Sequence, residues 1–303
     1  MDRRIFIKST GIIGASAFLP IGSLAAANES IPIVWELEGS ASRAIEALFD
    51  ELGGLTSLLP KGAENSIVLL KPNLCLPDGD HKATTTSSEL VSQLCSFLLD
   101  RGVGKIIVAD HTLREAKEFE KQPLVLEAGK YPGVKVMLAN DQRYYTPSST
   151  EGEVLTSVEI LKLLPRADLF INLPTAKHHT ATQVSLGIKN LMGLIWDRSV
   201  FHTDLDLQQA IGDLAMAIKP TITITDATRV LLKGGPIGPG PVVEDGRYFA
   251  SRDIVAVDSV VASRYSFGGK SQSASNIAHI SAAYDNGVGE IDLDKINLKH
   301  LTV

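Results

Sequence analysis

Between Asp168 and Asp197 the chain reads Leu169-Phe-Ile-Asn-Leu-Pro-Thr-Ala-Lys-His-His-Thr-Ala-Thr-Gln-Val-Ser-Leu-Gly-Ile-Lys-Asn-Leu-Met-Gly-Leu-Ile-Trp196, a stretch without an acidic residue in a chain whose formal net charge is −6. Its first five residues are mostly apolar, which is typical of a buried strand. Residues 175–180 are polar and predict a turn, and the remainder predicts an amphipathic helix. We expect the rest of the chain to assemble around this unit of strand, turn and helix.

The predicted helix has two unlike faces. One carries Val184, Ile188, Leu191, Met192 and Ile195, and roughly opposite lie Thr182, Ser185, Lys189 and Gly193. Small hydroxyls, a glycine and one lysine suit the close approach of a bound anion, and the helix N-terminus would add free N–H groups and a partial positive charge. We therefore expect an anion site here. The alternative is a helix packed against another element, with Lys189 reaching solvent.

The first 27 residues look like a twin-arginine export signal. Arg3-Arg4-Ile-Phe-Ile-Lys8 precedes a mildly apolar stretch over 11–24, and Ala25-Ala-Ala27 forms an A-x-A cleavage site. We expect cleavage after Ala27 and a periplasmic mature protein without a membrane span, because the apolar stretch is short and rich in small residues. An uncleaved anchor is the alternative.

The remaining chain, 28–303, is long enough for one large domain and shows no repeat or linker that would divide it. Its acidic balance argues against a nucleic-acid partner. Cys75 and Cys95 could form one disulfide, but Cys95 lies in an apolar helical series, so we expect free thiols. Two cysteines cannot supply the four that an ordinary iron–sulfur cluster needs.

Short apolar strands alternate with helices along the chain. The strands are predicted at 31–37, 66–70, 105–109, 134–139, 169–173, 221–225 and 247–251, and the main helices at 40–52, 88–100, 206–218, 254–265 and 275–285. This order predicts a single α/β domain: a mostly parallel sheet with helices on both faces, Rossmann-like layering and small β-hairpin excursions. Asp253 and Asp258 are expected to be a helix cap and a structural carboxylate.

Polar residues gather where the predicted strands end. They are Lys71 and Asn73, Asp110 and His111, Asn172 through His179, and Asp226. Ligands of open α/β sheets bind outside the carboxyl ends of the strands, so these residues predict a site. The alternative is that polar residues simply begin loops.

Three chemistries fit these residues. Lys71, Lys177 and Lys189 could bind a phosphate or carboxylate, with the Gly/Pro-rich loop 233–241 nearby, although that loop has no P-loop pattern. A histidine beside the bound anion could act as acid or base. A metal site could draw on His111, His178, His179, His202, Asp110 and Asp226, but no His-x-x-x-His spacing supports it, and we predict none.

Several motifs in order resemble a known family. They are Lys71-Pro-Asn73, Asp168 to Thr180, Gly187-Ile-Lys-Asn-Leu-Met-Gly193, Asp226 before Gly235-Pro236, the segment 250–258 and Gly287-Val-Gly289. Together they are similar to the domain of unknown function family 362 over about residues 65–290. The resemblance implies relatives that are often exported or fused to ferredoxin-like modules, with no settled reaction. It also makes His179 the better match to the family histidine.

The leading hypothesis is an enzyme or enzyme-like protein that binds a small anionic ligand, with His179 moving a proton. The alternatives are a non-catalytic accessory protein with a redox partner in an exported iron–sulfur assembly, and a metal-dependent hydrolase. The predicted catalytic residues are His179, His178 and His202. The predicted ligand-binding residues are Lys71, Asn73, Lys177, Thr180, Lys189, Asn190, Asp226 and Gly235. The cofactor is unknown.

Overall fold

A mostly parallel ten-stranded sheet is the centre of the structure, a computed structural model that describes residues 31–303. The twin-arginine segment and its cleavage site lie outside the described residues and stay predictions. The strands are β1 (Ile33–Glu38), β2 (Ile67–Pro72), β3 (Lys105–Asp110), β4 (Val134–Leu138), β5 (Tyr145–Ser149), β6 (Ser157–Leu161), β7 (Leu169–Leu173), β8 (Thr175–His179), β9 (Gln183–Ser185), β10 (Ile222–Leu231), β11 (Val242–Ser251) and β12 (Asn297–Thr302).

The sheet has the order β12-β1-β11-β10-β7-β2-β3-β4, with β8 pairing beside β10 and β9 pairing with β8. Every neighbouring pair on the main path is parallel except the two that involve β11. β5 and β6 form a predicted hairpin excursion, and β12 lies at one edge of the sheet. The predicted α/β fold with a mostly parallel sheet is therefore confirmed.

Helices cover both faces of the sheet. They are α1 (Ala41–Glu51), α2 (Ser88–Asp100), α3 (Pro123–Gly129), α4 (Gly187–Asn190), α5 (Val200–Thr203), α6 (Leu207–Ala217), α7 (Ile254–Arg264) and α8 (Ala278–Asp285). α1, α2 and α3 enclose one core, and α4, α6, α7 and α8 enclose the other. Alternation along the strands separates the two cores, since Val68 and Leu70 face the first while Leu69 faces the second. Among residues 31–303, no helix has the length and apolar character needed to cross a bilayer.

The stretch after β7 differs from its prediction. The expected turn at 175–180 is strand β8, and the expected amphipathic helix is β9 followed by the single turn α4 and a 3₁₀ turn, Leu191–Leu194. From Val184 to Asn190 every residue except Lys189 is buried. A segment buried on all sides carries little periodic signal, so its apolar spacing could not separate strand from helix.

The first two amides of α4 are bonded to a carboxylate of the protein, so they are not free for an anion as predicted. The backbone N–H groups of Gly187 and Ile188 each donate to a carboxylate oxygen of Asp258 at 2.8 Å. Asp258 lies on α7 and is fully buried, and this burial raises its pKa to about 7 against the opposing effect of the two donors. Its predicted role as a structural carboxylate is confirmed. Asp253 likewise caps α7 through the Ala256 N–H at 2.9 Å.

We predict that Asp258→Asn lowers the free energy of unfolding by roughly 1–3 kcal/mol, because an amide can accept only one of the two buried N–H groups. Urea denaturation measures the change. The exposed Asp204 provides the control substitution Asp204→Asn. Equal effects of the two substitutions would show that Asp258 does not hold α4.

Candidate functional site

A cavity of about 390 Å³ opens at the carboxyl ends of β2 and β3, beside β8 and α4. Seven of the predicted site residues line it: Lys71, Asn73, Lys177, His179, Lys189, Asn190 and His202. The strand topology accounts for this convergence. β2 lies between β3 and β7, so segments far apart in the chain end at the same edge of the sheet.

Lys71 is a buried cation that is paired with a carboxylate. Its side chain is 1% exposed, and Nζ lies 2.9 Å from Oδ1 of Asp110, the last residue of β3. Nζ also donates to Asn190 Oδ1 at 3.2 Å and to the carbonyl of Pro72 at 2.6 Å. Burial lowers the pKa of Lys71, and Asp110 opposes that shift. Asp110 accepts a further hydrogen bond from the Leu74 N–H at 2.6 Å.

Gly193 lets this ion pair form. A Cβ built at Gly193 would lie 1.9 Å from Asp110 Oδ1 and 2.7 Å from Lys71 Nζ, distances that no side chain can occupy. The Gly193 carbonyl also accepts from the His111 N–H at 2.9 Å. The glycine therefore brings the 3₁₀ turn against the ends of β2 and β3.

Lys177 is a second buried lysine, but its partners are uncharged. Its side chain is 1% exposed. Nζ donates to the Thr84 carbonyl at 2.6 Å and to Asn73 Oδ1 at 3.2 Å, with Cys75 Sγ at 4.0 Å. These contacts fix the position of the ammonium group without neutralising it.

Lys189 has the weakest partner of the three lysines. Nζ donates to the thioether sulfur of Met192 at 3.1 Å, and within residues 31–303 it forms no salt bridge. Burial and the positive charges of Lys177, Arg198 and Lys71 lower its pKa to about 8, with Cys75 opposing the shift. Near neutral pH a fraction of this amine is therefore unprotonated.

Arg198 is the cation that the sequence did not reveal. Its guanidinium donates to the carbonyls of His111 and Thr112 at 3.0 and 3.1 Å, and it lines the cavity. Its neighbour Asp197 suggests a local surface ion pair, yet the Asp197 carboxylate accepts from Ser199 instead. Only the fold shows that Arg198 faces the three lysines.

The cavity wall has a large excess of positive charge. Four cations line it, and Asp110 is the one carboxylate among its described lining residues. Lys71 is paired with that carboxylate. In the described part of the chain, Lys177, Lys189 and Arg198 are without a carboxylate within 4.0 Å.

The cavity histidines are neutral near pH 7. His179 Nδ1 accepts from the Ala181 N–H at 3.2 Å, so the neutral ring carries its proton on Nε2. Burial, Lys189 and Lys177 lower the pKa of His179 to about 3. His202 lies exposed on α5 at the cavity wall, where partial burial and Lys189 lower its pKa. His111 donates from Nδ1 to the Ile195 carbonyl at 2.9 Å, and its ring stacks on the ring of Trp196, with 5.2 Å between the two ring centroids.

Four predicted site residues belong to the surrounding scaffold instead. Thr180 Oγ1 donates to the Gly235 carbonyl at 2.7 Å, and a Cβ at Gly235 would lie 1.7 Å from the His178 carbonyl. These residues therefore pack the loop 233–241 against β8, and the His178 ring lies beside Gly268. Asp226 was expected at a strand end. Instead β10 continues to Leu231, and the Asp226 carboxylate accepts from the Ser87 and Thr228 N–H groups at 2.7 and 3.0 Å.

The two cysteines are free thiols, as predicted: Cys75 lines the cavity and Cys95 is buried in α2. Burial raises the pKa of Cys95 to about 12. Within residues 31–303, no group of three or more His, Cys, Asp or Glu side chains has a metal-binding arrangement. His111, which was expected at a strand end, and Trp196 form the aromatic wall of the cavity.

Comparisons with known proteins give a family. The profile of the family described as "Domain of unknown function (DUF362)" matches residues 68–263. The chain is 27% identical over 234 residues to a thylakoid-associated protein, sll1697, of Synechocystis sp., covering 74% of this chain and 69% of that protein. It is also similar to the lactate racemase apoprotein of Thermoanaerobacterium thermosaccharolyticum, with a TM-score of 0.46 and 11% identity. That likeness covers 77% of this chain but 57% of the racemase, so the chain spans less than two thirds of its length.

We predict that Gly193→Ala destabilises the protein by roughly 1–3 kcal/mol, because the added methyl group displaces the buried Lys71–Asp110 pair. Chemical denaturation measures the loss. Gly129→Ala is the matched control, since a Cβ at Gly129 meets no atom within 4 Å and its φ is not positive. A Gly193→Ala protein as stable as the control would contradict this packing.

Proposed function

The chain belongs to the family described as Domain of unknown function (DUF362), and from that premise we propose that its cavity binds a small molecule with at least two negative charges. The observation that carries the proposal is the charge excess of the cavity wall, where four cations face one carboxylate. Burying a charge costs free energy unless an opposite charge or hydrogen bonds compensate it. A bound polyanion would supply that compensation.

The cations differ in what they offer such a ligand. Lys177 is held by two neutral oxygens and offers its charge in a fixed position. Arg198 uses two of its donors on backbone carbonyls, which orients its planar group, and a guanidinium suits the paired oxygens of a carboxylate or phosphate. Lys71 is largely neutralised by Asp110, so we assign it to the floor of the site. Trp196, Leu113 and Met192 offer an apolar wall to the uncharged part of the ligand.

His179 fits a donor role better than the predicted proton transfer. An imidazole whose pKa is lowered to about 3 is a weak base near neutral pH, and its Nδ1 already accepts a backbone N–H. We propose that Nε2–H donates a hydrogen bond to the ligand. The accessory role in a redox assembly and the metal-dependent hydrolase stay predictions, since neither draws on a contact among the described residues.

We predict that Lys189→Met weakens the binding of a polyanionic probe roughly 10- to 100-fold, because a charge-assisted hydrogen bond contributes about 1.5–3 kcal/mol. Calorimetric titration with 2-oxoglutarate, citrate and inorganic phosphate measures the dissociation constants. Lys121→Met removes the same charge from an exposed position and serves as the control. If none of the three probes binds, or if all bind both variants equally, the anion site is wrong.

We also predict that the affinity for citrate falls as the pH rises above about 8, the pKa of Lys189. An anion binds the protonated amine more tightly and raises its pKa in the complex, so full affinity is present below pH 8 and declines above it. Lys71, Lys177, Arg198, Cys75, His179, His202 and His279 also face or surround Lys189.

The variant Lys189→Arg distinguishes the titration of Lys189 from that of these other groups, because arginine stays charged over this pH range. The decline above pH 8 should disappear in this variant. A decline of equal size in wild type and Lys189→Arg would assign the effect to another group.

A further inference from the structure

Lys189 is held differently from the other cavity cations, and this difference bears on the chemistry of the ligand. Lys71, Lys177 and Arg198 each donate to two or more oxygen atoms within 3.2 Å. Such oxygens stabilise the charged forms. Within residues 31–303, the one hydrogen-bond acceptor of Lys189 Nζ is the thioether of Met192, which is a weak acceptor.

The backbone beneath Lys189 is nevertheless rigid. Asp258 accepts hydrogen bonds from the two amides that begin α4. Asn190, the residue after Lys189, donates to the Lys71 carbonyl at 3.1 Å and to Asn172 Oδ1 at 2.9 Å. The amine thus extends from a fixed base into the cavity. A fixed, weakly solvated amine with other cations around it has the environment of a nucleophilic lysine. Its lowered pKa, about 8, agrees with this environment.

We propose that Lys189 forms an imine with its ligand, which makes the ligand class a small oxo compound bearing carboxylate or phosphate groups. The proposal rests on the anion site proposed above and adds the carbonyl group. Lys177 and Arg198 would hold the anionic groups, and the carbonyl carbon would lie next to Lys189 Nζ.

The step balances without an oxidant or reductant. The lone pair of the unprotonated amine attacks the carbonyl carbon, and the carbonyl oxygen takes up a proton to give a carbinolamine. The C–O bond then breaks, the oxygen leaves as water after a second protonation, and a C=N bond forms. Overall, the Lys189 ammonium group and the carbonyl compound give a protonated imine and water. The product keeps the positive charge that holds the anion.

His179 and the cavity wall can assist this step. In its neutral form His179 presents Nε2–H as a donor, which can polarise the carbonyl oxygen during attack. The same donor stabilises the hydroxyl of the carbinolamine. His179 is assigned as a donor here, and the protons that move come from the Lys189 ammonium group and from water.

Reductive trapping tests the proposal. The full protein is incubated at about pH 8 with 2-oxoglutarate or dihydroxyacetone phosphate and then with sodium cyanoborohydride, which converts an imine to a stable secondary amine. We expect one adduct per chain whose mass is that of the probe less one oxygen atom, and peptide mapping should locate it on Lys189. 2-Hydroxyglutarate has the same charges but no carbonyl, so it should give no adduct and should protect Lys189 when present in excess.

Two variants and two measurements distinguish failure of the imine proposal from failure of the anion-site proposal. Lys189→Arg keeps the charge but cannot form an imine, so it should give no adduct with 2-oxoglutarate. Lys121→Arg should behave as wild type. Binding by the wild-type protein without trapping would overturn the imine and leave the anion site standing. Neither binding nor trapping with any probe would overturn both, and adducts spread equally over exposed lysines would overturn the imine.

Discussion

A buried ion pair between Lys71 and Asp110 joins the ends of two neighbouring parallel strands. Lys71 Nζ also donates to Asn190, the last residue of α4, and Gly193 leaves the space in which the pair forms. Removing one partner of this pair would leave an uncompensated charge in the interior, at a cost of several kcal/mol. The pair therefore fixes β2, β3 and the segment after α4 as one unit, and the cavity is the space that this unit encloses with β8.

The sequence predicted the fold well where burial is one-sided or strands are bounded by turn residues. α2 has its predicted bounds, 88–100, because Ser87 caps it through the Leu90 N–H and apolar residues follow at helical spacing. It failed at 175–195, where most residues are buried. It also failed at Asp226, because a strand that continues past its apolar part by pairing with β8 leaves no local signal.

The site was predicted in part, for a related reason. Lysines at the ends of apolar strands are visible in the sequence, since charge is unusual there, and all three predicted lysines line the cavity. Arg198 follows Asp197 in a polar segment, so nothing local separates it from a surface residue. Thr180 and Gly235 are polar or small for scaffold reasons, since a loop packs closely against β8. Residue type alone could not tell such packing from ligand contact.

The distribution of roles among the cavity residues follows from solvation and partners. Among the described residues, Lys71 has a carboxylate as its partner, Lys177 has neutral oxygens, and Lys189 has a thioether. The motif pattern singled out His179 as the proton carrier, but burial and the cations around it lower its pKa to about 3. Burial and neighbouring positive charges also lower the pKa of Lys189, to about 8. We therefore propose that His179 donates a hydrogen bond instead of moving a proton.

We propose that a bound anion compensates the excess positive charge of this cavity. A crystal structure of the full protein grown with 2-oxoglutarate tests it most directly. We predict ligand density between Lys177, Lys189 and Arg198, with carboxylate oxygens at about 3 Å from their nitrogen atoms. A structure in which the ligand binds elsewhere, while an Asp or Glu side chain of the protein fills the cavity beside Lys189, would contradict it.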